Sequence, residues 1–368
     1  MDIVLFIVSF ALILIGCEFF TNGVEWLGKR LNLAEGAIGS VLAAIGTAMP
    51  ETLVPLIAIL LVGGETGEDI GAGAILGSPF MLSTLALFVC GMAVMLYAKR
   101  RGRTSMSVNG GLVRRDLRFF LIAYGMAAAV AFVPTDYSWL KWIVGLSLIP
   151  LYFFYMSITL RGGGSSEEND AEDLYLARGV GRINGKKKTE SEVKTNGMED
   201  EASEGFRKAV YESRPSLVLI IVQIAMGLTG ILLGATLFVE QIQALADIVG
   251  LSPLILALIV APIATELPEM YNCVIWIRQK KDIYAIGNIT GAMVFQSCVP
   301  VMFGVLLTTW HLDLNNATDR LQALAIFIAL LSATILYLRA KHDRLTKSGL
   351  ILGGAFYLIF MILVLFYA

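Results

Sequence analysis

The sequence predicts an all-α polytopic membrane protein, with about ten transmembrane helices in two inverted five-helix repeats. Three observations carry that reading. The 368 residues are 57% hydrophobic and only 16% charged, with a mean hydropathy of +0.73; soluble domains run closer to about 45–50% apolar and about 25% charged. Apolar runs long enough to cross a bilayer follow one another along the chain, and a stretch of the first half recurs in the second. So few charges cannot cover a water-soluble surface. The composition excludes a soluble enzyme, a disordered chain and a nucleic-acid binder.

A spanning helix needs about 20 mostly apolar residues. The runs lie at roughly 2–22, 37–62, 70–97, 117–134, 139–160, 215–238, 252–277, 283–309, 321–339 and 347–367. They are continuous rather than alternating, which argues against a β-barrel. The N-terminus lacks a basic n-region and reads as the first span rather than a signal peptide. Residues 161–213 are polar: Gly162-Gly163-Gly164-Ser165-Ser166, then an acidic run from Glu167 to Asp173, then Lys186-Lys187-Lys188. They read as a linker between a first half, 1–160, and a second half, 214–368. Cys17, Cys90, Cys273 and Cys298 all fall in apolar stretches without CxxC spacing and read as core-filling residues rather than a disulfide framework.

With ten spans, alternate loops share a side. Of the 28 Lys and Arg residues, 26 fall in or beside 23–36, 98–116, 161–214, 278–282 and 340–346; only Lys141 and Arg320 lie opposite. The positive-inside rule makes the basic side cytoplasmic, with the linker inside and both termini outside.

Residues Gly16–Glu51 align without a gap on Gly234–Glu269 at an offset of 218, with nine of 36 positions identical, among them Thr47/Thr265, Pro50/Pro268 and Glu51/Glu269. Five spans per half turn the second repeat upside down, an arrangement common in secondary transporters. Glu51 and Glu269 then lie at membrane depth, where an ionisable group marks a functional site by default. No Lys or Arg occupies a predicted span centre, so only a bound cation or a proton can neutralise them. Pro50 and Pro268 free the carbonyls of Gly46 and Ala264, and Thr47 and Thr265 add hydroxyls. Oxygen ligands of this kind suit Ca2+, with Na+, Mg2+ or Mn2+ behind it. Glu266, three residues before Glu269, has Ala48 as its counterpart in the first half. It reads as a third ligand, a proton carrier or a vestibule carboxyl. Glu18, in the first span, is a less certain member of the same population.

The following spans also correspond: Gly73-Ala74-Ile75-Leu76-Gly77-Ser78 parallels Gly287-Asn288-Ile289-Thr290-Gly291-Ala292. Their glycines are expected to let this helix pack on the Glu helix. Ser78, Asn288 and Gln296 are candidate site-lining groups.

These motifs resemble the cation/calcium antiporter superfamily, which includes the sodium/calcium exchangers. Its members carry two alpha repeats, each with a G-T-S-x-P-E motif followed by G-N-x-x-G-S-N. Here the first motif reads Gly46-Thr47-Ala48-Met49-Pro50-Glu51 and Ala264-Thr265-Glu266-Leu267-Pro268-Glu269. The repeats cover about 37–97 and 252–309. Asp69-Ile70 and Asp282-Ile283 precede the second motifs, as in the family. The resemblance implies that Glu51 and Glu269 are central calcium ligands and that the Thr47 and Thr265 regions serve calcium and sodium. It also implies that the first and sixth spans slide past the core. Ala48, Glu266, Ala74, Leu82 and Gln296 stand where the family pattern has other residues, so several sodium ligands are absent. The Asn-Ala-Ala-Glu core of the proton/calcium branch is absent too.

The expected function is secondary antiport of Ca2+, or another divalent cation, against Na+ or H+ in the plasma membrane, with no cofactor beyond the transported ions. The alternatives are a proton-coupled or non-calcium exchanger and a cation channel with a carboxylate constriction. No nucleophile or activated-water pattern accompanies the glutamates, which argues against an enzyme.

Overall fold

The computed structural model describes residues 3–30, 49–161, 174–176, 215–342 and 344–367. They form α1 (Ile3–Arg30), α2 (Met49–Ile57, continued by a π turn over Ala58–Val62), α3 (Gly64–Met81), a second π turn (Leu82–Ala86), α4 (Leu87–Leu96), a short α5 (Ala98–Arg101), α6 (Gly110–Ala131) and α7 (Trp139–Arg161). After the linker come α8 (Leu217–Val249), α9 (Pro253–Thr265), α10 (Leu267–Arg278), α11 (Asp282–Leu307), α12 (Ala317–Arg339) and α13 (Lys347–Tyr367). The one sheet among these residues pairs β1 (Ser105–Ser107) with β2 (Arg344–Thr346), antiparallel.

Seven of the described helical stretches are long and apolar enough to cross a membrane; Pro50–Val62 and Pro253–Ile263 are apolar but shorter. α6 falls outside both sets because Arg114, Arg115, Asp116 and Arg118 crowd its first turns. The chain is a multi-pass integral membrane protein built almost wholly of helix.

Two compact units divide the chain. One comprises residues 1–14, 47–164 and 231–368; the other comprises 15–46 and 165–230. In the larger unit, segments expected on one side of the membrane meet. β1 joins β2, while Arg101 and Arg103 both bind Asp282 Oδ2, at 2.5 and 2.8 Å. This places the segments around 98–109, 282 and 344–346 together. At the other end, Leu312 N donates to Ala131 O (2.9 Å), and the Trp310 indole donates to Ala127 O (3.0 Å).

In the smaller unit, the α1 and α8 portions are cross-linked by amides: Gln223 Nε2 donates to Asn22 Oδ1 (2.8 Å) and to Phe19 O (3.0 Å). Three residues of the polar linker pack here. Leu174 is buried, Tyr175 N donates to Asn22 Oδ1, and Leu176 N donates to Gln223 Oε1. Glu18 is exposed on α1.

α3 is the centre of the larger unit, and its glycines explain why. A Cβ at Gly67 would fall on Ala58 O, and one at Gly71 on the Ile59 side chain and Pro55 O, so this stretch lies against α2. A Cβ at Gly73 would fall on Leu254 O, and one at Gly77 on Leu258 O and Pro262 Cγ. The second glycine pair therefore packs on α9, from the other half of the sequence, and not on the Glu helix of its own half. Apolar periodicity defines a face but not its partner. α2 reverses into α3 through Gly63 and Gly64, both left-handed at φ 65° and 63°.

The cysteines correct the core-filling reading for one pair. Cys90 on α4 and Cys273 on α10 form a disulfide, with Cα atoms 6.4 Å apart and a sequence separation of 183; Cys17 and Cys298 are not in a disulfide. Two helices far apart in sequence meet here, which no local spacing announces. Denatured without reductant, the chain is expected to take up two equivalents of maleimide, and four after reduction. Four equivalents before reduction would contradict the pairing.

Candidate ion site at the α9–α10 break

Pro262 and Pro268 divide the seventh apolar run. α9 ends at Thr265, Glu266 occupies a turn at φ −88° and ψ −2°, and α10 starts at Leu267 with Pro268 in its first turn. Pro268 has no N–H to close the helical bond to residue 264, so the ladder is interrupted where Glu266 and Glu269 project. Broken backbone at membrane depth persists where it lines a cavity or is buried in protein. Here it is buried: Glu266 is 0% exposed and Glu269 4%.

Glu51 reaches the same point from α2. α3 is wedged between α2 and α9, so the steps at Gly67 and Gly71 and those at Gly73 and Gly77 draw both glutamate-bearing segments onto one helix. Carboxylate oxygens of Glu51, Glu266 and Glu269 lie within 4.8 Å of one another, all buried. Among the described residues, none of the three forms a salt bridge.

One neutral group holds Glu266: Gln296 Nε2, on α11, donates to its Oε1 at 2.6 Å. Ser78, beside Gly77, is a buried neighbour of the same carboxyl. Both oxygens of Glu51, Oε2 of Glu266, Oε2 of Glu269 and Oε1 of Gln296 are buried without a hydrogen-bond donor. Buried acceptors of this kind are costly unless something positive meets them.

Two unit charges 4.8 Å apart repel by about 3 kcal/mol at an effective dielectric of about 20. Three such pairs make the fully ionised, empty triad untenable. A cation or protons between the carboxylates reverses the sign of the interaction. The three oxygens are close enough for one cation to meet them all: at calcium–oxygen distances of about 2.3–2.6 Å, two ligands of one ion stand no more than roughly 5 Å apart.

Of the other residues singled out in the sequence, Thr265 is buried at the end of α9 and Ala264 is the α9 residue before it. Gly46 and Thr47 lie outside the described residues. Asn288 is half-buried on α11, its Nδ2 without a partner. At eight residues from Gln296 it lies about 12 Å along the axis and is not part of the carboxylate cluster. An open recess lined by Glu68, Asp69, His311, Asp319 and Gln322 contains none of the three glutamates.

Sequence reasoning named Asp282 only as a residue of the repeat and did not single out Asp116 or the basic partners of either acid. Asp282, at the start of α11, takes Arg101, Arg103 and the Ser107 N–H on one oxygen. Asp116 is buried on α6 and bonded to Thr290 and Tyr155. Both acids sit next to basic residues at helix starts, where a charge reads as a membrane boundary.

The family model for the sodium/calcium exchanger protein matches residues 1–161 and 219–368. An uncharacterized membrane protein of Methanocaldococcus jannaschii is 23% identical over 354 residues, covering 96% of this chain and 95% of its own. The crystal structure of the H+/Ca2+ exchanger CAX superposes with a TM-score of 0.66 at 14% identity, covering 99% of this chain and 81% of that one. A structure of the sodium-calcium exchanger NCX_Mj superposes with a TM-score of 0.52 at 21% identity, covering 98% and 97%. The two superpositions establish likeness of fold. Matched by the family model across both sides of the linker, this chain belongs to the sodium/calcium exchanger protein family.

Proposed function

We propose that the chain is a secondary antiporter that carries Ca2+, or a divalent cation of similar size, against Na+ or H+, with Glu51, Glu266 and Glu269 as the ion's ligands. One observation carries the reading: three buried carboxylates within 4.8 Å, with four of their oxygens unpartnered and, among the described residues, no basic residue paired to them. Membership of an exchanger family supports transport over catalysis. Carbonyl oxygens near Gly46 and Ala264, with the hydroxyls of Thr47 and Thr265, complete the shell; Ser78 and Gln296 orient Glu266. The burial of all three acids describes an ion position closed to water. Exchange follows because the divalent cation and its counter-ion compete for the same negative charge.

In this reading ten spans form two inverted five-helix halves, 1–160 and 214–368, around a cytoplasmic linker. The halves carry alpha repeats at about 37–97 and 252–309, and both termini face outward in the plasma membrane. A proton-coupled variant has a specific observation in its favour: Glu266 places a third carboxyl where the family pattern has a serine.

Reconstituted vesicles separate these readings. Radioactive calcium is expected to accumulate when the lumen is loaded with Na+ or made acidic, and to stop when that gradient is collapsed. Accumulation under only one of the two gradients names the counter-ion. Calcium flux that ignores both gradients would establish a channel, and no flux would overturn the proposal.

A further inference from the structure

Asp116 is a buried carboxylate that the ion site does not use. It is 1% exposed on α6, yet both of its oxygens are occupied. Oδ2 accepts from the Thr290 hydroxyl on α11 (2.9 Å), and Oδ1 accepts from the Tyr155 hydroxyl on α7 (3.1 Å). Oδ1 also receives the Arg115 guanidinium at 3.3 Å. The Arg115 guanidinium lies over the Tyr155 ring, which also packs on Phe119. A charge buried this deeply is expensive, and an apolar side chain would fill the volume at less cost. What it adds is direction.

α11 needs direction at this level. α11 packs against α6 and α7, and Ile286, Ile289, Met293 and Val294 on it are buried apolar side chains, a kind of contact that fixes no angle. Around α3, glycines interlock with neighbouring backbone. On α11 a Cβ at Gly287 or Gly291 would meet its nearest described neighbour only at 3.8 or 3.9 Å. The bond from Thr290 to Asp116 supplies the register that sterics do not. Gln296 is six residues on, about 9 Å along the axis and about 120° around it. The anchored face is thus not the face that bonds Glu266.

We infer that Asp116, acting through Thr290, is a positioning residue: it sets the rotation of α11 so that Gln296 meets Glu266 and the carboxylate triad is presented to the cation. The inference rests on the antiport reading of that triad.

The test compares Thr290→Val, which keeps the shape and loses the donor, with Thr290→Ser, which keeps the donor. Gradient-driven calcium uptake into vesicles is measured against calcium concentration, with folded yield and melting temperature in detergent measured alongside. Thr290→Val is expected to raise half-saturating calcium about tenfold, roughly 1.4 kcal/mol, with maximal rate and melting temperature close to the unmodified chain. Thr290→Ser is expected to stay within about twofold. Unchanged half-saturation in Thr290→Val would overturn the inference. So would equal damage from both variants, or a loss that only tracks folded protein. If the unmodified chain takes up no calcium under either gradient, the antiport reading falls first and this inference with it; normal uptake with an indifferent Thr290→Val removes the inference alone.

Discussion

Glu51→Gln and Glu269→Gln are each expected to cut gradient-driven calcium uptake by about a hundredfold or more while leaving the folded protein in the membrane. The two parts of that expectation have different origins. Removing one member of a buried, desolvated charge cluster costs about 2–5 kcal/mol in binding, and each 1.4 kcal/mol is tenfold. Folding moves the other way. Among the described residues the triad has no basic partner, so deleting one carboxylate relieves repulsion in the empty site. Thermal melting without calcium should therefore hold steady or rise, and stabilisation by added calcium should disappear. A variant that melts lower and still transports would mean that the glutamates serve the fold.

Gly77→Ala is expected to destabilise the protein strongly, although alanine is the better helix former. The new Cβ would fall on Leu258 O and Pro262 Cγ, backbone and ring that cannot turn aside. Overpacking costs about 1–3 kcal/mol, occasionally more, and a clash with rigid backbone belongs at the upper end, above the roughly 1 kcal/mol that alanine gains over glycine in a helix. Gly125→Ala on α6 supplies the contrast, because nothing lies within 4 Å of its Cβ position. It is expected to be neutral or stabilising. Melting of both variants in detergent checks the pair, and equal behaviour would contradict the interlock. Since Ser78 and Glu266 lie just beyond the Gly77–Pro262 contact, Gly77→Ala that does fold is also expected to bind calcium more weakly.

Much of the site was legible because its signal is local and repeated. A Pro-Glu step at a fixed offset of 218, inside long apolar runs, singles out Glu51 and Glu269. The structure brings both to one point and adds Glu266, whose role the residue pattern left open among three. Of the polar groups singled out in apolar helices, Gln296 bonds Glu266 and Ser78 is buried beside it. Asn288, chosen on the same ground, lies elsewhere on α11.

What was not legible depends on partners distant in sequence. The Gly73 and Gly77 face packs on α9 rather than α2, because a small-residue stripe fits either helix. Cys90 and Cys273 are joined across 183 residues with no motif around either. Arg101, Asp282 and Asp116 belong to charged clusters near helix ends and look solvated until the neighbouring helices close over them. In each case the residue type was visible and its neighbour was not.

The central claim is that one divalent cation sits among Glu51, Glu266 and Glu269. The most direct measurement is a crystal structure of the protein soaked in Sr2+, an anomalous scatterer that stands in for Ca2+. A single peak bounded by carboxylate oxygens of all three glutamates, at about the 2.3–2.6 Å of calcium sites or slightly longer, is the predicted result. A peak confined to the open recess lined by Asp69 and Asp319, with the three glutamates empty, would contradict the account.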